Sequence, residues 1–166
     1  MLNLHGLLDW LESWPLSQGL RESSWMFPTF ETMHVIAIAL VVGSVMIVDV
    51  RILGLTSKRK AVKELSWEVL PWTWLMFAIA VVSGGVMFAS QANNYFENIP
   101  FRLKMLLLVA AGINMLFFHF VPYKTVQHWN QNSNAPMLAK LSCGLSLSFW
   151  ILVVAMGRWI GFTLSG

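Results

Sequence analysis

Four stretches of this chain, at about residues 32–55, 71–90, 101–121 and 141–164, are almost purely apolar and each about 20 residues long. A helix rising 1.5 Å per residue crosses the ~30 Å hydrocarbon core of a bilayer in that length. Only 11% of the 166 residues are charged while 57% are hydrophobic. A water-facing globule carries about a quarter charged residues, so the apolar faces must meet lipid as well as each other. The expected fold is all-α: an integral membrane four-helix bundle, residues 27–166, preceded by an amphipathic segment, residues 1–26. Pro71 suits a first helical turn and Pro122 stops the third span.

Charge sets the expected orientation. Arg51, Lys58, Arg59, Lys60 and Lys63 follow the first span, and Lys124 and Lys140 follow the third. By the positive-inside rule both loops are cytoplasmic. Both termini and the 91–100 loop then face the other side, the periplasm if the membrane is a bacterial inner membrane. The net charge of +3 is accounted for by this clustering and implies no nucleic-acid partner. The N-terminus lacks the basic start of a cleavable signal peptide, so targeting is expected from the first span. Leu4, Leu7, Leu8 and Leu11 recur at helical spacing opposite Asp9, Glu12 and Ser13, the pattern of a helix lying in the interface or docking on a partner. Among nine tryptophans, Trp25, Trp67, Trp72, Trp74, Trp129 and Trp159 fall near span ends, as an aromatic belt does. Small residues, among them Gly43, Ser83, Gly84, Gly85, Gly112, Ser142 and Gly144, mark expected helix contacts.

Ionisable groups in lipid require a reason. Glu31 and His34, three apart at the start of the first span, share a helix face, where the carboxylate can orient the imidazole. At its other end Arg51 is expected to reach lipid phosphate, and Asp49 to pair with helix two or the loop. Arg102 and Lys104 open helix three, and Arg158 lies near the end of helix four. Either an ion pair with Glu31 or Glu97, or a grip on an anion such as a haem propionate, would explain these cations. Asn114 suits an interhelical hydrogen bond. His119 lies near the cytoplasmic end of helix three, in line with the gap at Gly112.

Histidines in a membrane bundle raise the question of a b-type haem. His34 and His119 differ in depth by roughly 20 Å, so they cannot share one iron. A haem would use His34 with Met87 or Met156, or His34 alone, with Arg102 or Arg158 on the propionates. Met33, Met87 and Met156 with His34 would also suit Cu(I). Hydrolase, phosphate-loop and zinc motifs are absent. The expected role is an electron-transfer subunit of a membrane redox assembly, carrying haem b or flanking a quinone site at the periplasmic side. The alternatives are a non-catalytic anchor in a larger complex or homo-oligomer and, with weaker support, a small transporter.

Residues 15–55 (PLSQGLRESSWMFPTFETMHVIAIALVVGSVMIVDVRILGL), 70–90 (LPWTWLMFAIAVVSGGVMFAS) and 101–119 (FRLKMLLLVAAGINMLFFH) resemble a family of small bacterial inner-membrane proteins of unassigned function. The resemblance implies four spans and no stated activity. It also implies that Arg21, Glu31, His34, Asp49, Arg51, Arg102, Lys104 and His119 are the family's recurring polar positions.

Overall fold

The computed structural model describes residues 4–56, 61–130 and 134–164. Four long helices, α3 (Met26–Leu53), α4 (Val62–Ser90), α6 (Ile99–Phe120) and α8 (Met137–Leu164), are each long and apolar enough to cross a membrane. The chain is a multi-pass membrane protein. Two short helices, α1 (Leu4–Glu12) and α2 (Pro15–Glu22), precede the bundle. A third, α5 (Ala92–Glu97), turns the chain between α4 and α6. A 3-10 turn (Pro122–Thr125) and α7 (Val126–Trp129) lead from α6 toward α8.

Local chemistry sets the helix ends. Gly54 takes a left-handed conformation (φ 81°) after α3, where its N–H and that of Leu55 reach the Arg51 and Val50 carbonyls, a cap that glycine adopts without a Cβ penalty. The Asn98 carboxamide oxygen accepts from Phe101 N–H at 3.0 Å and caps α6. Asn130 caps α4 from across the sequence: its carbonyl accepts from Val62 N–H at 3.1 Å and its side chain from Lys63 N–H at 2.9 Å. The α4 helix therefore starts nine residues before Pro71 rather than at it. The bond that proline forfeits, to the Trp67 carbonyl, falls beside the exposed Trp67 and Glu68, near the α7 end of the bundle.

The four long helices form two pairs. α3 packs along α4, α6 packs along α8, and the pairs join where α3 meets α8; among the described residues α4 and α6 make little contact along their length. Hydroxyls within the spans are satisfied locally, as lipid requires. Ser44, Ser66, Thr73 and Ser148 donate to carbonyls four residues back. Asn114 makes the expected interhelical contact: its Nδ2 donates to the Ser142 carbonyl at 2.9 Å, and Ser142 Oγ donates to its Oδ1 at 2.9 Å.

Several expectations need correction. Gly43, Gly85, Gly112 and Gly144 face open space, so of the glycines expected at contacts only Gly84 is closely packed. Trp129 is not part of a belt. It is buried in the core at the α7 end, with Ile52, Val62, Val126, Ala139 and Cys143, and its indole N–H reaches Thr125. Arg51 does not snorkel outward, because it is only 6% exposed. Asp49, 7% exposed, has no partner in helix two or the loop among the described residues. It bonds Ser146 and Cys143 of α8, and its Oδ2 has no partner. Lys58, Arg59 and Lys60 lie outside the described residues.

Candidate functional site

The α5 end of the bundle holds a histidine and a lysine whose polar atoms are not consumed by acids. His34 lies two turns into α3, with Nδ1 at 3.0 Å from Ser83 Oγ of α4. Ser83 has one hydroxyl proton, and the 2.7 Å contact to the Ile79 carbonyl takes it. Oγ therefore accepts from Nδ1–H, and the Nε2 lone pair remains available. Gly84 makes room for the ring: a Cβ there would lie 2.8 Å from His34 Cε1. The Ala80 carbonyl also lies against the ring, on the side of Ser83, whose Oγ is 3.3 Å from it.

Lys104 projects from the second turn of α6 between the pairs. Its Nζ would lie 3.5 Å from a Cβ at Gly157 of α8, an ordinary contact, so the lysine lies alongside α8 there without needing a glycine. The ammonium is close enough for its charge to act on the His34 ring. It has no hydrogen bond or ion pair among the described residues. A cation withdrawn from water without a counter-charge is costly, and a ligand with electron-rich oxygen would relieve that cost.

The gap between α4 and α6 is roofed by aromatics. Phe88 and Phe101 stack with centroids 5.3 Å apart, and Tyr95 of α5 lies 5.4 Å from Phe101 and 6.2 Å from Phe88. Burial pushes the Tyr95 phenol above its ordinary pKa, and the charge of Glu31 adds to the shift. The unfolded chain loses this proton first, near pH 10. The contribution to stability is therefore intact below about pH 10 and lost as pH climbs further. Thermal midpoints in detergent from pH 8.5 to 11 should fall more steeply for the native protein than for Tyr95→Phe; parallel curves would exclude this contribution.

Above the roof, α1 and α2 fold back onto the bundle. Glu12 accepts from the Asn93 backbone N–H at 2.9 Å, and Asp9 from the Asn93 side chain at 2.9 Å. Arg21 donates to the Ser90 carbonyl at 2.7 Å and the Glu12 carbonyl at 3.0 Å, and it pairs with the Glu12 carboxylate at 3.7 Å.

Of the residues expected at the site, His34 holds the centre. Met87 lies one turn beyond Ser83, and Met156 adjoins Gly157; both are half-buried. Glu31 is exposed, and its charge acts on Tyr95, so it is not what orients His34. Arg158 has no acidic partner among the described residues; its guanidinium lies over the Phe162 ring at 4.8 Å. Arg102 is exposed. His119 is also exposed and stacks on Tyr123 near the α7 end, far from His34. Among the described residues no three His, Cys, Asp or Glu side chains converge as a metal site. Sequence reasoning named Lys104 without giving it the central place, and it missed Ser83 as the imidazole's partner and Tyr95 altogether. The i, i+3 spacing pointed to Glu31, whereas the actual partner is on another helix.

One family, described as a family of unknown function (DUF6644), matches residues 8–163. No curated protein and no solved structure matches the chain.

Proposed function

The chain belongs to that family of unknown function, and from its own residues we propose that it is a redox subunit of a membrane assembly, with a quinone as the ligand of the His34–Lys104 site. The observation that carries this reading is the pairing of an imidazole, fixed through Nδ1–H to Ser83 with its Nε2 free, and an ammonium with no acid beside it. A quinol has two hydroxyls at opposite ends of one ring. Nε2 is placed to take the proton of one, while Lys104 donates to the oxygen at the other end. Two electrons pass to a redox centre in a partner subunit; one proton goes to Nε2 and the other to water at the α5 end, since the Lys104 ammonium can only donate. The α5 end then faces the periplasm, and the basic Lys63, Lys124 and Lys140 lie on the cytoplasmic side.

An apolar groove of about 700 Å³ runs along α3 and α4 at the same end, walled by Met33, Ile36, Met76 and Ile79. Its two threonines, Thr29 and Thr32, donate to carbonyls of their own helix, so the groove suits an isoprenoid tail. Ile79 joins groove to site, because its carbonyl takes the Ser83 proton. Haem b is the second reading, favoured by the same fixed Nδ1–H, the usual orientation of an iron-ligating histidine. His34 Nε2, with Met87 or Met156, would hold the iron, and Lys104 would hold a propionate in place of Arg102 or Arg158; the haem would supply one-electron transfer.

The test is solvent extraction of the purified native protein for quinone, together with its absorption spectrum, oxidised and reduced. About one quinone per chain is expected, falling at least tenfold in Lys104→Met and His34→Ala. A Soret band abolished by His34→Ala selects haem instead. Intact protein with neither quinone nor chromophore refutes the redox role and leaves an anchor, for which the exposed Leu4, Leu7, Trp10 and Trp14 of the N-terminal segment would supply the partner surface.

A further inference from the structure

At the opposite end of the bundle, the end of α3, the start of α4, α7 and the approach to α8 enclose a cavity of about 130 Å³. That is several times the ~10–15 Å³ that one water needs by a comparable measure. Arg51, Lys140, Asn134 and the Gly54 turn supply its polar wall, and among the described residues no aspartate or glutamate lines it. Arg51 is almost fully buried and is also held by a contact within the protein. Lys140 is half-buried, and its ammonium has no hydrogen bond or ion pair among the described residues. Trp129 closes the back of the cavity, itself buried and fixed by Thr125.

We propose that this cavity binds a phosphate group, with Arg51 and Lys140 as its ligands. Two cations with no acid on the wall attract an anion. The planar guanidinium fork matches two phosphate oxygens, and the lysine adds a point charge. The site lies where three helix ends meet the membrane boundary, the level of lipid headgroups, and basic pockets between spans at that level hold anionic headgroups. The phosphate can therefore belong to an anionic phospholipid or to inorganic phosphate in solution. This site is independent of the His34–Lys104 reading and stands or falls separately.

The experiment uses the intact, delipidated protein in an uncharged detergent. One arm adds phosphatidylglycerol and counts retained lipid by native mass spectrometry. The other titrates inorganic phosphate calorimetrically. Retention of phosphatidylglycerol assigns the lipid source; phosphate heat without lipid retention assigns the free ion. In either case Arg51→Gln and Lys140→Gln should each weaken binding about tenfold, the effect of losing one charge-assisted hydrogen bond. Lys140→Gln, at the half-buried wall, keeps the test valid should Arg51→Gln fail to fold. Folded native protein that binds neither ligand, or a Lys140→Gln protein that binds as the native one does, overturns the proposal.

Discussion

Gly84→Ala should empty the His34 site while leaving the bundle folded. The added methyl would lie 2.8 Å from His34 Cε1 and 3.3 Å from Nδ1, closer than packed atoms tolerate. The helix backbone will not yield, so the ring must swing off Ser83. The loss of that hydrogen bond costs about 1 kcal/mol. Alanine returns about 0.5–1 kcal/mol of helix propensity over glycine, so net stability should move little. Ligand content should nevertheless drop at least tenfold, because Nε2 no longer keeps its place relative to Lys104. Gly85→Ala is the internal control: nothing lies within 4 Å of its Cβ position, so it should bind fully and be as stable or slightly more so. Equal ligand content in the two variants would show that the ring's seat against α4 does not matter.

Arg21→Ala should produce the largest loss of order at the α5 end. One guanidinium ties three groups together: the Ser90 carbonyl at the end of α4, the Glu12 carbonyl at the end of α1, and the Glu12 carboxylate. Ser90 is completely buried, so its carbonyl would be left unpaired at a cost of about 1–3 kcal/mol. Glu12 would lose its cation while still accepting from Asn93. Limited proteolysis or amide exchange should show α1 and α2 opening, with protection lost over residues 4–22 and retained in α6 and α8. Arg21→Lys should rescue poorly, because one ammonium cannot reproduce a fork aimed at two carbonyls. Unchanged protection in Arg21→Ala would place the hold on α1 and α2 elsewhere.

The spans were legible because lipid imposes a simple rule on composition, and length alone then counts the crossings. Helix ends were less legible. The start of α4 depends on Asn130, which lies 68 residues after Val62 in the chain, and no local pattern announces such a cap. The site was legible only in part. His34 and Lys104 stood out as ionisable groups in apolar surroundings, and that cost is a local property. Their partners were not legible, since Ser83 looks like any small contact residue and Tyr95 like loop. Glu31 misled because sharing a helix face makes contact possible without requiring it. Arg158 misled for a related reason: a cation in an apolar run needs a neighbour, and an aromatic ring serves as well as a carboxylate.

The division of the bundle into two pairs has a mechanical consequence. The imidazole rides on one helix pair, held to it through Ser83, and the ammonium rides on the other, beside Gly157. Among the described residues the main seam between those units is α3 on α8, with the Phe88–Phe101 stack at one end and the Asn130 cap on α4 at the other. A small scissoring about that seam leaves the bonds inside each unit intact and changes the gap between the two nitrogens. Nitrogen separation thus becomes a gauge of tilt, which any subunit gripping one unit would set.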